Sequence, residues 1–400
     1  MGADKRAPAF RVLHVIGGSQ YGGVVPCVSS LVTMAREHGG DAVVLATAPR
    51  IIEHYRQRDI DIVQVEGIDR PINLLRDTVG LMRLVHHLRQ VRYDIVHTHT
   101  SKGGIIGRLA ATLAHTPITI HTAHGYAFAD YAKNAVSRRA FIAAERLATR
   151  WCDFIIAVNH LDRDKAIENG IVDPSKILAI PNGIDLSEAD AAFASAGDSL
   201  HAELGLDPNR PIVGSIGRLS APKGFEYFID AIPALVASNP RLQFIIVGEG
   251  ELDKALRERA ARNGIADKLR FIGFRSDTYR LLKSIDIFVM PSVWEGMPMM
   301  LLEAMATRRP IVTTRIRGVA AVCGDADVAE LVQPGDAGAI AAAISKLLAD
   351  PSRMQQLARR AREHVEKHFS DEVMKARTWN VYESVARAKG VALGTISDDE

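Results

Sequence analysis

The 400-residue sequence is most informative first in what it lacks. It has only three cysteines, Cys27, Cys152 and Cys323, far apart and without a CxxC pair, which argues against a disulfide framework or a zinc ribbon and fits a reducing compartment. No run of about 18 or more uncharged apolar residues occurs, so no segment reads as a bilayer span. The opening MGADKRAPAF leads directly into apolar residues with no small-residue cleavage site, so no secretory signal is expected. Arg6 stands where an N-myristoylation motif wants Ser or Thr, so Gly2 is not expected to be acylated. Charge of one sign is also lacking: the net charge of +2 is too balanced for a chain whose main partner is nucleic acid. Short-period repeats are absent as well.

What is present is ordinary globular composition, 47% hydrophobic and 24% charged, at a length that predicts two domains. Short apolar runs alternate with helical-period stretches, the pattern of helices layered on parallel sheets. In the first half the runs predict strands at 10–16, 42–46, 62–65, 94–98, 117–121, 153–158 and 177–180, with helices such as 24–38 and 72–92 between them. The segment ADAAFASAGDSL, ending near residue 200, has few large apolar side chains and reads as a surface connection. The pattern restarts with strands at 211–217, 242–248, 269–273, 286–291, 310–313 and 330–333, followed by an amphipathic stretch at 371–389 and a fraying tail. The expected organisation is an α/β chain with domains at 1–190 and 191–375, and a terminal helix and tail at 376–400 that could pack back on the first domain.

Open α/β sheets bind ligands beyond the carboxyl ends of their strands, so the residues just after each strand carry the functional signal. After the first strand, Gly17 to Gly23 forms a glycine-rich loop able to bring backbone amides to an anion, but it is not GxGxxG. The second strand ends in Ala46-Thr47-Ala48, without the acidic residue a dinucleotide ribose requires, so an NAD-dependent oxidoreductase lacks its fingerprint. In the second half, Gly217-Arg218-Leu219 and Pro222-Lys223-Gly224 place a guanidinium and an ammonium on one loop, suited to a diphosphate leaving group. Glu295 and Glu303 follow the strand at 286–291. Pro298 predicts a helix start between them, leaving Glu295 in a loop and Glu303 within a helix, each able to accept a diol.

The ordered set Gly22-Gly23, His124-Gly125, Gly217-Arg218-Leu219, Pro222-Lys223-Gly224, Gly248-Glu249-Gly250-Glu251-Leu252 and Glu295 to Glu303 resembles the family 4 retaining glycosyltransferases over nearly the whole chain. The resemblance implies a GT-B fold, two Rossmann-like doubly wound domains facing each other across a cleft, with acceptor on the first and nucleotide-sugar donor on the second. It implies catalytic roles for His124, Arg218, Lys223 and Glu295, and a donor site that includes Gly22, Gly23, Gly217, Gly248, Glu249, Phe274, Gly296, Met297 and Glu303. Arg218 and Lys223 would hold the diphosphate, Glu303 the ribose, Glu295 the transferred sugar, His124 the sugar pocket, and Phe271 to Arg275 the base. Many members have Glu-Gly-Phe-Gly-Leu-Pro after the first acid; here Gly296-Met297-Pro298-Met299 follows, and Pro298 removes one amide donor. No cofactor or metal is expected, because the two cations would replace a divalent ion.

Eleven of the fourteen histidines fall in the first 185 residues, but no acidic or cysteine partner accompanies them at metal spacing, so hydrogen-bonding roles are expected. The run His97 to Gly104 resembles members that build bacterial surface polysaccharides on lipid carriers, which makes His97, His99, Ser101 and Lys102 candidate acceptor contacts. Asn73 to Arg92 carries four Arg against one Asp, and Lys133 to Trp151 five Lys or Arg against Glu145. Such faces could rest on an anionic membrane, so a cytoplasmic enzyme peripheral to the inner face of the cell membrane is expected. A sugar-nucleotide epimerase on the same architecture, or a non-catalytic scaffold, are the alternatives.

Overall fold

The computed structural model describes residues 8–17, 22–68, 73–126, 134–194 and 200–393. The apolar runs form strands β1 Arg11–Ile16, β2 Asp41–Leu45, β3 Ile62–Val63, β4 Ile95–His99, β5 Ile118–Ala123, β6 Phe154–Ala157 and β7 Ile177–Ala179. The second series is β8 Ile212–Ile216, β9 Gln243–Val247, β10 Leu269–Gly273, β11 Ile287–Met290, β12 Ile311–Thr314 and β13 Glu330–Val332. They make two sheets, ordered β3-β2-β1-β4-β5-β6-β7 and β10-β9-β8-β11-β12-β13, with parallel pairing throughout. Each order reverses beside its first strand, at β1/β4 and at β8/β11, and these are the switch points where a doubly wound sheet opens for a ligand.

Helices cover both faces, so the central strands are buried on both sides and read as continuous runs; every residue of β4 is buried. Their register is pinned by a recurring device. Asp94, Asp153 and Asp286, each just before a strand, accept the amides of Arg11 (2.7 Å), Thr119 (2.8 Å) and Ile212 (2.8 Å) on the neighbouring strand.

The contacts divide the chain into residues 1–183 with 371–400, and residues 184–370. The helix Asp371–Lys389 therefore completes the first unit, where Met374, Trp379 and Tyr382 join its core. Trp379 stacks on His38 at 3.8 Å and lies 5.5 Å from Phe10.

One expectation is corrected. The stretch read as a surface connection begins within a helix, Leu186–Ala194, with Asp185 Oδ1 accepting the Ser187 amide at 2.8 Å; residues 195–199 lie outside the described residues. Alanine is the strongest helix former, which accounts for the helix; Ala189 and Leu200 are buried in the core of the second unit, while Asp190, Ala191, Phe193 and Ala194 remain exposed.

Candidate functional site

At the carboxyl end of the second sheet, three loops are stitched together by main-chain bonds. The Leu219 amide donates to the Glu249 carbonyl (2.9 Å) and the Leu252 amide to the Leu219 carbonyl (3.0 Å), joining the loops after β8 and β9. The Pro222 carbonyl accepts from Val293 (2.9 Å) and Trp294 (3.2 Å), joining the loops after β8 and β11. Two glycines permit this closeness. Gly248, at φ +143°, would bring a Cβ to 1.9 Å from the Gly217 oxygen, and Gly224, at φ +63°, to 2.2 Å from the Pro291 oxygen.

This scaffold joins residues 72 positions apart. Lys223 Nζ donates to Glu295 Oε1 at 2.6 Å, with side chains 26% and 9% exposed, and Ser292 Oγ donates to the same oxygen at 2.8 Å. Glu295 precedes the helix Met299–Ala306, with Pro298 at its N-cap and Glu303 inside it, as the proline position predicted. Glu303 is part-buried, and its Oε2 is fully buried without a hydrogen-bond partner among the described residues. Burial, and after it the charge of Glu188, push its carboxyl up to about 8 against the opposing pull of Lys223. Lys223 is thus bonded to one acid and electrostatically coupled to the other.

Arg218 is exposed on the loop that carries Lys223, and its carbonyl accepts from the Ser220 amide at 2.8 Å. Glu249 is exposed on the loop after β9, and Phe274 is 47% exposed after β10. Gly217, Gly248, Gly296 and Met297 line the same loops and are part-buried. Sequence reasoning missed Ser292 and Glu188. Ser292 could have been found as the polar residue directly after the strand-ending Pro291; nothing local marks Glu188.

In the first unit, Gly22 is exposed and Gly23 is the N-cap of the helix Val24–Glu37, while positions 18–21 of the glycine-rich loop lie outside the described residues. Among the described residues a Cβ on Gly22 would meet nothing within 4 Å, so their packing does not require glycine there. Gly17 and Gly103 do pack backbone to backbone, and Thr100 Oγ1 donates to the Gly17 carbonyl at 2.7 Å. Thr100 is held at φ +63°, a strained value for a β-branched residue, at the mouth of the β1/β4 switch point.

His97 and His99 do not present the acceptor surface expected of them. The strand runs on through His99, and alternation turns both rings to one face of β4, where neither has exposed surface. Ser101 opens the helix Ser101–Ala114, and the Lys102 ammonium pairs with Asp77 at 2.6 Å, with little exposure on either side chain. His124, just beyond β5, is part-exposed. It belongs to a hydrogen-bonded histidine cluster that the sequence did not foreshadow, with His14 on β1 in register with His97.

Comparison with known proteins gives a consistent picture. Residues 21–188 match the model "Glycosyltransferase Family 4" and residues 198–364 the model "Glycosyl transferases group 1", between them most of the chain. Over 257 residues, 64% of this chain and 66% of the relative, the sequence is 38% identical to an Escherichia coli UDP-Gal:alpha-D-GlcNAc-diphosphoundecaprenol alpha-1,3-galactosyltransferase. It is 23% identical to the Staphylococcus aureus capsular polysaccharide biosynthesis glycosyltransferase CapM over 94% of this chain and 96% of that one. Among solved structures, Anabaena HepE in complex with UDP and glucose superimposes with a TM-score of 0.81 at 21% identity, covering 94% of this chain and 100% of that one. That last likeness is one of fold, the pair of Rossmann-like units of the GT-B class.

Proposed function

We propose that this chain, which belongs to the glycosyltransferases that combine a family 4 domain with a group 1 domain, transfers a hexose from a UDP-sugar to a hydroxyl of a lipid-diphosphate-linked sugar, with retention and without a metal ion. The observation that carries this reading is the Lys223–Glu295 pair beside the half-buried Glu303, held on a main-chain scaffold at a switch point. The 38% identical galactosyltransferase supports the donor and acceptor classes. The epimerase and scaffold alternatives are not favoured.

The chemistry follows from charge. As the bond between the anomeric carbon and the β-phosphate oxygen breaks, positive charge grows on the sugar ring and negative charge on the departing diphosphate. Lys223, with Arg218 on the same loop, supplies fixed positive charge for the diphosphate. Phosphate oxygens compete with Glu295 for the ammonium, which frees that carboxylate to accept sugar hydroxyls. The acceptor oxygen bonds to the anomeric carbon on the same face, and its proton passes to the leaving diphosphate. The test is a panel of UDP-, GDP- and ADP-hexoses with a lipid-diphosphate-linked GlcNAc acceptor, in the presence of EDTA. We expect transfer from a UDP-hexose, UDP-galactose foremost, with an α-linkage by NMR. A β-linked product, or activity abolished by EDTA and restored by a divalent ion, contradicts the mechanism.

Membrane attachment through the first unit is part of the same reading. On the helix Leu74–Gln90, Leu74 and Leu75 are each 82% exposed, and Met82 is exposed alongside Arg76 and Arg83. On the helix Ala135–Thr149, Val136 is exposed near Arg138 and Arg139. Apolar tips among guanidinium groups suit an anionic bilayer surface. No helix among the described residues is long and apolar enough to cross a membrane. We expect co-sedimentation with phosphatidylglycerol vesicles at low salt, reduced at least about tenfold by replacing Leu74 and Leu75 together with glutamate, from the lost apolar burial. Equal recovery of both proteins contradicts membrane attachment.

A further inference from the structure

The main chain from Ser292 to Glu295 is held by three neighbouring segments of the second unit. Thr314 Oγ1 on β12 donates to the Ser292 carbonyl, and the amides of Val293 and Trp294 donate to the Pro222 carbonyl at 2.9 and 3.2 Å. Gly318, in the helix Arg317–Cys323, presses on Glu295 itself: a Cβ there would come to 2.4 Å from the Glu295 carbonyl oxygen and 3.0 Å from its Cβ. What freedom Glu295 keeps therefore lies in its side-chain torsions.

Among the described residues, two side chains bond the Glu295 carboxylate, and both do so at Oε1: the Lys223 ammonium at 2.6 Å and the Ser292 hydroxyl at 2.8 Å. The two donors are unlike. Lys223 carries its charge on a flexible stem with the side chain 26% exposed, so it can turn to another anion. Ser292 has no exposed surface, and its short side chain stands on a main chain that Thr314 holds. When phosphate oxygens take the ammonium, the hydroxyl is the bond that stays. Without it the glutamate would regain its rotamer freedom, and a sugar hydroxyl would have to order it again at an entropic cost.

We propose that Ser292 is a positioning residue: it keeps Oε1 of Glu295 anchored after Lys223 has turned to the diphosphate, so that Oε2 is the oxygen that accepts a hydroxyl of the transferred sugar. This deepens the glycosyltransferase reading and rests on it for the identity of the ligands. The anchoring itself, a carboxylate that stays in place without the ammonium, does not depend on them.

The test has a structural arm and a kinetic one. In a crystal structure of ligand-free Lys223→Ala, Glu295 Oε1 should remain within hydrogen-bond reach of Ser292 Oγ, and in Lys223→Ala/Ser292→Ala the carboxylate should leave that position. A carboxylate that departs in the first variant, or keeps its place in the second, overturns the proposal whether or not the protein transfers a sugar. Anchoring as expected, with no transfer by the wild type from any UDP-hexose, supports the anchoring and overturns the glycosyltransferase reading alone. In steady-state transfer, Ser292→Ala should lower kcat about tenfold, the lower end for one hydrogen bond to a charged group, with a far smaller change in UDP affinity. In a Glu295→Ala background the same substitution should change kcat by less than about twofold, because Ser292 acts only through that carboxylate. An equal loss in both backgrounds overturns the proposal, as does wild-type turnover in Glu295→Ala. Thermal melts check that the Ser292→Ala variants are folded, and Lys223→Ala alone decides the anchoring if they are not.

Discussion

Lys223→Ala should lower turnover about 100- to 1,000-fold, the usual cost of removing one preorganised donor from developing negative charge. The protein should remain folded, because the loops around Lys223 are closed by main-chain bonds and by Gly224 and Gly248, none of which needs the side chain. Glu295 keeps its bond from Ser292 in the variant. Lys223→Arg should recover part of the activity, since charge returns, but in a planar fork that does not reproduce a point contact of 2.6 Å. Steady-state rates with the best UDP-hexose check this, alongside thermal melts of both variants. A loss below about fivefold would mean that Lys223 is an ordinary surface cation, because exposed ion pairs are worth no more than about 1 kcal/mol.

Glu303→Gln has the second large effect, and its sign depends on pH. The unfolded carboxyl releases its proton near 4.5 and the folded one near 8. Between those values the folded chain holds more protons than the unfolded one, so stability falls as pH rises through the window. Glutamine removes that dependence. The variant should match the wild type near pH 5 and exceed it by pH 9, by an amount on the order of a few kcal/mol, seen as a higher Tm. Donor binding should move oppositely. A diol bonds best to the ionised carboxylate, so UDP affinity should rise from pH 7 to pH 9 in the wild type and stay flat and weaker in the variant. Since Lys223 holds the Glu303 pKa down while Glu188 holds it up, Lys223→Ala should shift the rise in affinity to higher pH. A Tm difference independent of pH would mean that Glu303 is ionised throughout.

Much of this was legible in sequence because buried parallel strands are written as unbroken apolar runs, and because ligand residues follow strand ends. Lys223, Glu295 and Glu303 emerged from those two rules, with Pro298 separating loop from helix. Ser292 and Glu188 did not, since their meaning depends on which loop and helix pack beside the acids. The helix Leu186–Ala194 was hidden by its small side chains, which the reading of large apolar residues passes over. The histidines show the limit most clearly. His97 and His99 stand two apart, and that spacing puts both on one face of a strand; the resemblance of the run His97 to Gly104 made them candidate acceptor contacts instead. Their partners His14, Thr122 and Tyr382 come from three other elements, and Tyr382 is 285 residues away from His97.

The central claim is that Lys223 and its acidic partners form a diphosphate receptor, and it is most directly tested by calorimetric binding of UDP against uridine. The wild type should bind UDP much more tightly than uridine, and Lys223→Ala should lose most of that preference, its affinity for uridine falling far less than its affinity for UDP. An undiminished preference for UDP in the variant would contradict the account.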